Sequence, residues 1–174
     1  QNPVIESDEN IFVVSSDFDR SLSVWKEIPG SNGAKPDIVF RRFEEGPWDN
    51  TFNNKSLFLA AGKKVFGWFD FENNLNSGNY SFDMNTSSIG SINFSSLRGV
   101  AYNGEFFALG ETDNKNIYIW KGIPGLNDEP DYIIQNPVGV GRIDMNEEWL
   151  VVSAYPGAGS PVHVIKLTNL DSGI

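Results

Sequence analysis

The sequence predicts an all-β fold, and three observations support this class. Residues typical of strands and tight turns are abundant, with 13 Phe, 5 Trp, 5 Tyr and 17 Gly among 174 residues. Aromatic side chains pack well on pleated surfaces, and Gly tolerates the positive φ of tight turns. No segment shows a 3.6-residue apolar period over ten or more residues, so we expect almost no helix. A strand motif also recurs at intervals near forty to fifty residues, which favours a β-propeller.

The recurring motif is clearest in a phrase that the chain carries twice. SVWKEIPGSNGAKPD begins at Ser23 and YIWKGIPGLNDEPD begins at Tyr118. Weaker copies read VFGWFDF (65–71) and VHVIKLT (162–168). The steps between the anchor residues of the four copies are 43, 52 and 45 residues, and these anchors are Trp25, Trp68, Trp120 and Ile165. We predict that the anchors hold equivalent places in the third strands of four blades, and that each Trp packs against the next blade.

Other strands flank each anchor strand in a constant order. Apolar runs precede it at 11–15, 57–61, 106–110 and 149–153, as expected for strands covered on both faces. An innermost strand comes earlier, clearest in LRGVAYN (97–103), and its Asn-Gly at 103–104 predicts a type I′ hairpin turn. Outer strands are predicted after the anchor, in PDIVFRR (36–42), NYSFDMN (79–85) and PDYIIQN (130–136).

These strands predict a single β-propeller domain of four-stranded antiparallel blades, with about four blades at 1–46, 47–96, 97–136 and 137–174. Only DSGI follows VHVIKLTNL, which is too short for a fourth outer strand, and QNPV at 1–4 recurs at 135–138 after an outer strand. We therefore expect a segment of a larger propeller, or a chain that associates with further blades from the same or another chain. Without such blades, apolar residues of the end blades would face water, among them Ile11, Val13, Trp149 and Val151.

Charge and composition exclude several classes of partner and chemistry. The net charge is −10, from 23 acidic and 13 basic residues, and such a surface repels phosphate backbones and anionic lipid. We therefore expect no nucleic-acid partner. No apolar run approaches the roughly 20 residues that cross a bilayer, so we expect no membrane insertion. The chain has no Cys, which excludes thiolate catalysis and Cys-ligated zinc.

Two segments resemble NHL-type and related propeller repeats, in which a D-x-G-N-x-R turn leads into a V-x-V-W strand. They are DFDRSLSVWKEIPGSNGAKPDIVF (17–40) and TDNKNIYIWKGIPGLNDEPDYII (112–134). Asp19 and Asn114 fall where the family has its Asn, whereas Ser21 and Asn116 replace its Arg. The resemblance implies an extracellular or periplasmic propeller used mainly for recognition. It carries over no catalytic position.

The residues that could support catalysis are sparse. His163 is the only histidine, so a zinc site would need carboxylates for most of its ligands, and we expect a structural or surface role. Adjacent carboxylates occur at 44–45, 128–129 and 147–148. Sequence neighbours in an extended chain point to opposite sides, so these pairs are predicted to be solvated rather than catalytic.

Acidic turns and sequons are the remaining candidate sites. SDFDRS (16–21) and ETDNKN (111–116) contain Asp17, Asp19 and Asp113, which could contribute oxygen ligands to Ca²⁺. The D-x-D-x-D-G loop is absent, and Asp and Asn also close such turns through their own hydrogen bonds, which is the interpretation that we favour. Four N-x-[ST] triplets could accept N-linked glycans, at Asn54, Asn79, Asn85 and Asn93.

The sequence favours a non-enzymatic extracellular module for binding or assembly, with a protein or glycan ligand. Trp48 in EEGPWDN and Tyr155 in SAYPGAG are the predicted contact residues, and packing between blades is the alternative for each. A propeller hydrolase or lyase with a carboxylate or metal site near the central channel is the alternative function. The single His and the absence of Cys weigh against it.

Overall fold

The computed structural model describes residues 3–7, 10–41, 43–53, 55–78, 80–155 and 161–172. Four antiparallel sheets are arranged as a four-bladed β-propeller, which confirms the predicted fold class. Each sheet runs in chain order from an inner strand at the axis to the rim. Within the described ranges, no helix has the length and apolar character needed to cross a membrane.

Blades 1 and 2 each contain four strands. Blade 1 comprises β1 (Val4–Ser7), β2 (Phe12–Ser16), β3 (Ser21–Trp25) and β4 (Ile38–Phe40). Blade 2 comprises β5 (Asp49–Asn53), β6 (Ser56–Ala61), β7 (Lys64–Trp68) and β8 (Met84–Thr86).

The outer strand predicted at 79–85 begins later than expected, at Met84, directly after Asp83, whose carboxylate accepts the N–H of Phe69. A short helix α1 (Phe71–Ser77) precedes it in the chain. Phe71 and Leu75 bury one face of this helix in the core, and Gly78 ends it with a left-handed φ of 72°. A small hairpin of β9 (Ser88–Ile89) and β10 (Ile92–Asn93) then leads to blade 3.

Blade 3 also has four strands, whereas blade 4 has three among the described residues. Blade 3 comprises β11 (Leu97–Tyr102), β12 (Phe106–Glu111), β13 (Asn116–Lys121) and β14 (Tyr132–Gln135). Blade 4 comprises β15 (Val140–Met145), β16 (Trp149–Ala154) and β17 (Val162–Lys166), followed by a 3₁₀ helix (Leu167–Ser172). Among the residues that the structure describes, no strand pairs with the outer edge of β17.

Three buried apolar clusters hold the blades together, one at each interface between blades that are consecutive in the chain. Trp68 lies in the cluster between blades 1 and 2, and Trp120 lies in the cluster between blades 2 and 3. Ile165 packs at the edge of the cluster between blades 3 and 4. The anchors therefore contact the preceding blade, and the expectation that they pack against the next blade is wrong. Because blade 1 has no preceding partner in these clusters, Trp25 is only half-buried, against Phe12.

The repeated phrase has a specific structural role, which is to secure the outer strand. The indole N–H of Trp25 donates to the carbonyl of Ala34, and that of Trp120 donates to the carbonyl of Asp128, both at 3.1 Å. One residue further on, a backbone N–H donates to the carboxylate of an Asp that directly precedes the outer strand. This bond recurs in three blades, as Lys26 to Asp37, Phe69 to Asp83 and Lys121 to Asp131, at 2.7–2.8 Å.

The hairpin between β11 and β12 forms as predicted, but its turn is not type I′. Gly104 has a φ of 98°, whereas Asn103 is not among the residues with positive φ. Instead, the Asn103 side-chain oxygen accepts the N–H groups of Glu105 and Phe106. Asn146 caps the corresponding turn of blade 4 in the same way. The Asn therefore contributes its side chain rather than a left-handed backbone.

Blades 4 and 1 are the only consecutive pair around the axis that no buried cluster joins within the described residues. We call the exposed side of blade 4 its free face, which consists of Trp149, Val151, Val162 and Val164. The expected exposure of Trp149 and Val151 is thus found, at 36% and 37%. The expected exposure of Ile11 and Val13 is wrong, because both are buried against blade 2.

Candidate functional site

The two aromatic residues predicted as contacts come together at one end of the ring. This upper end is where the four inner strands begin. Trp48 directly precedes β5, and Tyr155 directly follows β16. Between them lies Arg98 of β11, whose guanidinium carbon is 3.6 Å from the centre of the Trp48 ring and 4.1 Å from that of Tyr155. We call these three residues the aromatic–arginine stack.

The stack joins three blades and stays partly accessible. Its residues come from blades 2, 3 and 4, and each is half-buried. The Tyr155 backbone N–H donates to the carbonyl of Gly139 at 2.8 Å, which fixes the ring above the start of β15. Cation–π contacts of this kind contribute about 0.5–2 kcal/mol each, so the side chains are held before any ligand arrives. The arrangement serves both packing between blades and presentation of aromatic surface.

A second apolar side chain is exposed near the stack. Phe18 at the tip of the β2–β3 turn is 89% exposed. The backbone of Gly46 lies so close to this turn that a Cβ at Gly46 would be 2.5 Å from the Asp17 Cα. This close approach places the segment leading to Trp48 directly beside Asp17, the residue before Phe18. The upper end therefore carries an exposed aromatic residue from blade 1 and half-buried aromatic residues from blades 2 and 4.

A cleft of about 350 Å³ opens near the axis between blades 1 and 4, and we call it the axial cleft. The charged residues that line it are Glu6 of β1, Asp49 of β5, and Arg142 and Asp144 of β15. Asp49 is only 3% exposed, and one carboxylate oxygen accepts the N–H groups of Val100 at 3.1 Å and Ile143 at 3.2 Å. This one side chain thereby connects blade 2 to blades 3 and 4 at the axis.

Two carboxylates of the axial cleft, those of Glu6 and Asp49, have raised pKa values. Burial raises the pKa of Glu6 to about 7, and the negative charge of Asp144 adds to the effect. Burial also raises the pKa of Asp49 well above its usual value, and the two N–H donors offset only part of the rise. Within the described ranges, no group of three or more His, Cys, Asp or Glu residues is placed to hold a metal ion.

Glu111 in blade 3 is a buried carboxylate of the opposite kind. Its side chain is fully buried, and it accepts hydrogen bonds from the backbone N–H of Ser95, the Asn114 amide and the Tyr118 hydroxyl at 2.7–2.9 Å. Burial alone would raise its pKa, but these donors outweigh burial and the pKa is lowered. The Glu111 carboxylate is engaged by hydrogen bonds within its own blade, so its role is structural.

The acidic turns predicted as calcium candidates lie in two different blades. Asp17 and Asp19 belong to the β2–β3 turn, and Asp113 belongs to the β12–β13 turn. The Ser21 hydroxyl donates to Asp19 at 2.6 Å, and this hydrogen bond lowers the pKa of Asp19. The structure does not bring the three carboxylates together, and calcium binding stays a prediction.

The other predicted residues that the structure describes lie on different strands and turns. Asn85 on β8 and Asn93 on β10 are exposed, whereas Asn54 and Asn79 lie outside the described residues. His163 is on β17, and its Nε2 atom is buried without a hydrogen-bond partner. Its counterpart in blade 3 is Tyr118, whose hydroxyl reaches Glu111. The adjacent carboxylates at 128–129 are engaged in turns, where Asp128 accepts from the N–H of Gly125 and Glu129 accepts from Ser91.

Sequence reasoning missed Arg98 and the carboxylates of the axial cleft. Glu6, Asp49 and Asp144 lie on inner strands of three different blades, so only the ring closure brings them together. Asp49 gave no signal, because its strand β5 reads DNTFN and contains one apolar residue. Arg98 gave no signal, because its partners are 50 and 57 positions away in the chain.

Comparison with known proteins supports the fold and no more specific assignment. No family model matches the chain, and no curated protein matches it. The chain is similar in structure to the computationally designed Ika4 protein, with a TM-score of 0.61, 14% identity, and coverage of 94% of this chain and 89% of that one.

Two natural propellers show the same likeness. The WD40 β-propeller domain of Doa1 matches with a TM-score of 0.63 and 11% identity, over 97% of this chain and 51% of that one. A chain of the Mitotic Checkpoint Complex matches with a TM-score of 0.62 and 13% identity, over 95% of this chain and 48% of that one. The chain thus spans about half the length of each of these two proteins.

Proposed function

We propose that the chain is a non-enzymatic binding and assembly module that contacts a protein partner through the upper end of its propeller. The aromatic–arginine stack is the observation that carries this proposal. Trp, Tyr and Arg are the residues most often responsible for binding energy at protein interfaces. Trp48 and Tyr155 are held in place by Arg98, so little conformational entropy is lost when a partner binds. The structural likeness to a chain of a protein complex supports a protein ligand.

The experiment compares partner capture by the native protein with capture by matched variants. Tyr155→Ala and Trp48→Ala each remove one ring of the stack, and Trp149→Ala removes an exposed aromatic from the free face of blade 4. A partner of the upper end should lose about 30-fold in affinity for either stack variant, as expected for an interface hot spot, and less than about threefold for Trp149→Ala. The dissociation constants are measured with the purified partner by calorimetry.

Two results would contradict the proposal. One is a partner whose affinity is unchanged by both stack variants although circular dichroism shows both to be folded. The other is a partner whose affinity is lost in Trp149→Ala alone, which would move the contact to the free face of blade 4. A double variant that combines a stack variant with Phe18→Ser extends the test. Phe18 is exposed, so its replacement leaves the core intact.

An extracellular or periplasmic location belongs to the same proposal, as does membership of the NHL-type repeat class. The exposure of Asn85 and Asn93 supports the extracellular location, because N-linked glycans require accessible sequons. A mass increase at either residue in material from the native source, lost after glycosidase treatment, would support secretion in a eukaryotic host. The absence of the chain from extracellular and periplasmic fractions would contradict the location without affecting the binding proposal.

A carboxylate-based hydrolase or lyase is the second candidate function, and the raised pKa of Glu6 is the observation that favours it. A carboxyl group with a pKa of about 7 can act as a general acid near neutral pH. In this alternative, Glu6 would exchange a proton with a substrate seated in the axial cleft. Turnover of glycan or peptide substrates that disappears in Glu6→Gln would replace the binding proposal.

A further inference from the structure

In the part of the chain that the structure describes, blade 4 ends in an edge strand at the position where the other three blades carry an outer strand. Strands β4, β8 and β14 pair antiparallel with β3, β7 and β13 respectively. Strand β17 corresponds to β13, because Trp149 is opposite Lys166 just as Phe106 is opposite Lys121. The bond from the Leu167 N–H to the Glu148 carbonyl likewise corresponds to that from Gly122 to Glu105. The two blades therefore share one register, and the outer edge of β17 is vacant among the described residues.

The register identifies the backbone groups that face this edge. Because the Leu167 N–H points towards β16, alternate residues of β17 point their N–H groups the other way. These are Val162, Val164 and Lys166. In the other blades, the residue corresponding to Lys166 donates to an Asp carboxylate, as Lys121 does to Asp131 at 2.7 Å. The edge of β17 thus presents three outward donors in the geometry that accepts an added strand.

Side chains beside the edge indicate what the added strand must carry. In blade 3, Tyr132 is opposite Ile119 and Ile134 is opposite Ile117. The corresponding residues of blade 4 are Val164 and Val162, which are 57% and 61% exposed. Apolar residues at the first and third positions after an Asp would cover these two valines, as Tyr132 and Ile134 do in the sister blade.

The chain itself leads away from this edge after β17. Leu167 and Leu170 of the 3₁₀ helix are buried in the cluster between blades 3 and 4. Asp171 accepts hydrogen bonds from Lys121 and from the Tyr132 hydroxyl, so the helix is fastened to blade 3. In blade 3, by contrast, the chain returns after Lys121 to form β14. The described residues after β17 therefore do not supply the strand.

We propose that the outer edge of β17 binds an extended segment of a protein partner by strand addition. The segment carries an Asp followed by apolar residues at the next and third positions. Its Asp accepts the Lys166 N–H, and its backbone pairs with Val162 and Val164. This surface is distinct from the upper end of the propeller, so the two proposals can fail separately.

The test uses a peptide with the sequence of this chain's own residues 129–136, EPDYIIQN, blocked at both termini. Amide hydrogen exchange is followed by NMR on the full chain at several peptide concentrations. The N–H groups of Val162, Val164 and Lys166 should exchange at least about tenfold more slowly with bound peptide. Those of His163 and Ile165 point towards β16, so they provide an internal control whose protection should not change.

Matched variants separate strand addition from adhesion to an apolar face. Val164→Pro removes an outward N–H and should weaken peptide binding by at least about tenfold, whereas Val164→Thr keeps the donor and should stay within about threefold. A peptide with Asn in place of its Asp should bind about fivefold more weakly, because it loses a charge-assisted hydrogen bond. A peptide with Thr at the positions of Tyr132 and Ile134 should also bind more weakly.

Three outcomes would overturn the proposal. Millimolar peptide that leaves the three outward amides unprotected excludes strand addition. Outward amides that are already protected in the peptide-free monomer indicate that other residues of the chain cover the edge. Protection that rises with protein concentration alone, together with a doubled mass in light scattering, identifies a second copy as the occupant instead of a partner segment. Val164→Pro is assessed by its unchanged β12–β16 amide protection, which shows that it folds.

Discussion

Blade 3 and blade 4 share one strand register, yet their third strands differ in burial and in the number of neighbouring strands. Strand β13 has a neighbour on each edge and is buried through most of its length, whereas every second residue of β17 is exposed. The anchor of blade 3 is Trp120, only 2% exposed, and the anchor of blade 4 is the partly buried Ile165. The comparison teaches that the repeated motif sets the position of a strand, while its neighbours determine what each residue contributes.

The largest expected effect sharpens this contrast between the two anchors. Trp120→Ala removes a large side chain from the closed cluster between blades 2 and 3, and we expect it to lower the free energy of unfolding by about 3–5 kcal/mol. Ile165→Ala removes a smaller and partly solvated side chain, so we expect a loss of about 1–2 kcal/mol. Urea denaturation followed by fluorescence measures both. Equal losses would show that blade 4 is packed as tightly as blade 3.

The next effects concern two carboxylates whose pKa values shift in opposite directions, Glu111 and Glu6, beginning with Glu111 in blade 3. Glu111→Gln replaces an acceptor that serves several donors, and we expect a loss of about 1–3 kcal/mol at pH 7. Because the folded state lowers this pKa, the stability it contributes is present above the unfolded value of 4.5 and is lost as pH falls through the folded pKa. The deficit of the variant should therefore shrink in acid, as measured by urea denaturation across pH. A deficit that does not depend on pH would refute the charge-based explanation.

The stability that Glu6 contributes in the axial cleft should depend on pH in the opposite direction, and the effect should be smaller. Its folded-state pKa is about 7 against an unfolded value of 4.5, so its contribution is complete below 4.5 and is lost as pH rises to about 7. Glu6→Gln should remove this loss and exceed the native protein by about 1–2 kcal/mol at pH 8, a range reduced because solvent screens the partly exposed group. Thermal unfolding at pH 4 and pH 8 measures it. A variant less stable than the native protein at pH 8 would contradict the assignment.

The fold was predictable because its signals are local in the sequence. The spacing of the anchors and the apolar run before each anchor strand led to four sheets in the observed order. Helix α1 was not predicted, because its buried residues Phe71 and Leu75 form a pattern too short to reveal a helical period. The strand predicted at 79–85 begins only at Met84. The prediction that the anchors pack against the next blade was wrong. A sequence pattern shows that a Trp is buried but not which neighbouring sheet buries it.

The candidate site was predictable only in part, because it forms from residues far apart in the chain. Trp48 and Tyr155 were identified by their residue types, but Arg98 between them was not. The raised pKa of Glu6 depends on a cleft that exists only once blades 1 and 4 approach each other. Residues of ordinary composition on inner strands gain unusual properties through the closure of the ring, and closure leaves no periodic trace in the sequence.

The placement of the three apolar clusters between consecutive blades has a consequence for how the chain folds as it leaves the ribosome. Each cluster joins segments that are synthesised one after the other, and among the described residues none joins the first blade to the last. A blade can therefore dock on its predecessor as soon as both have emerged, as in a repeat array whose order grows from one unit to the next. We expect the rate of folding during synthesis to depend on the interface between blades 1 and 2, because every later blade docks after this one has formed.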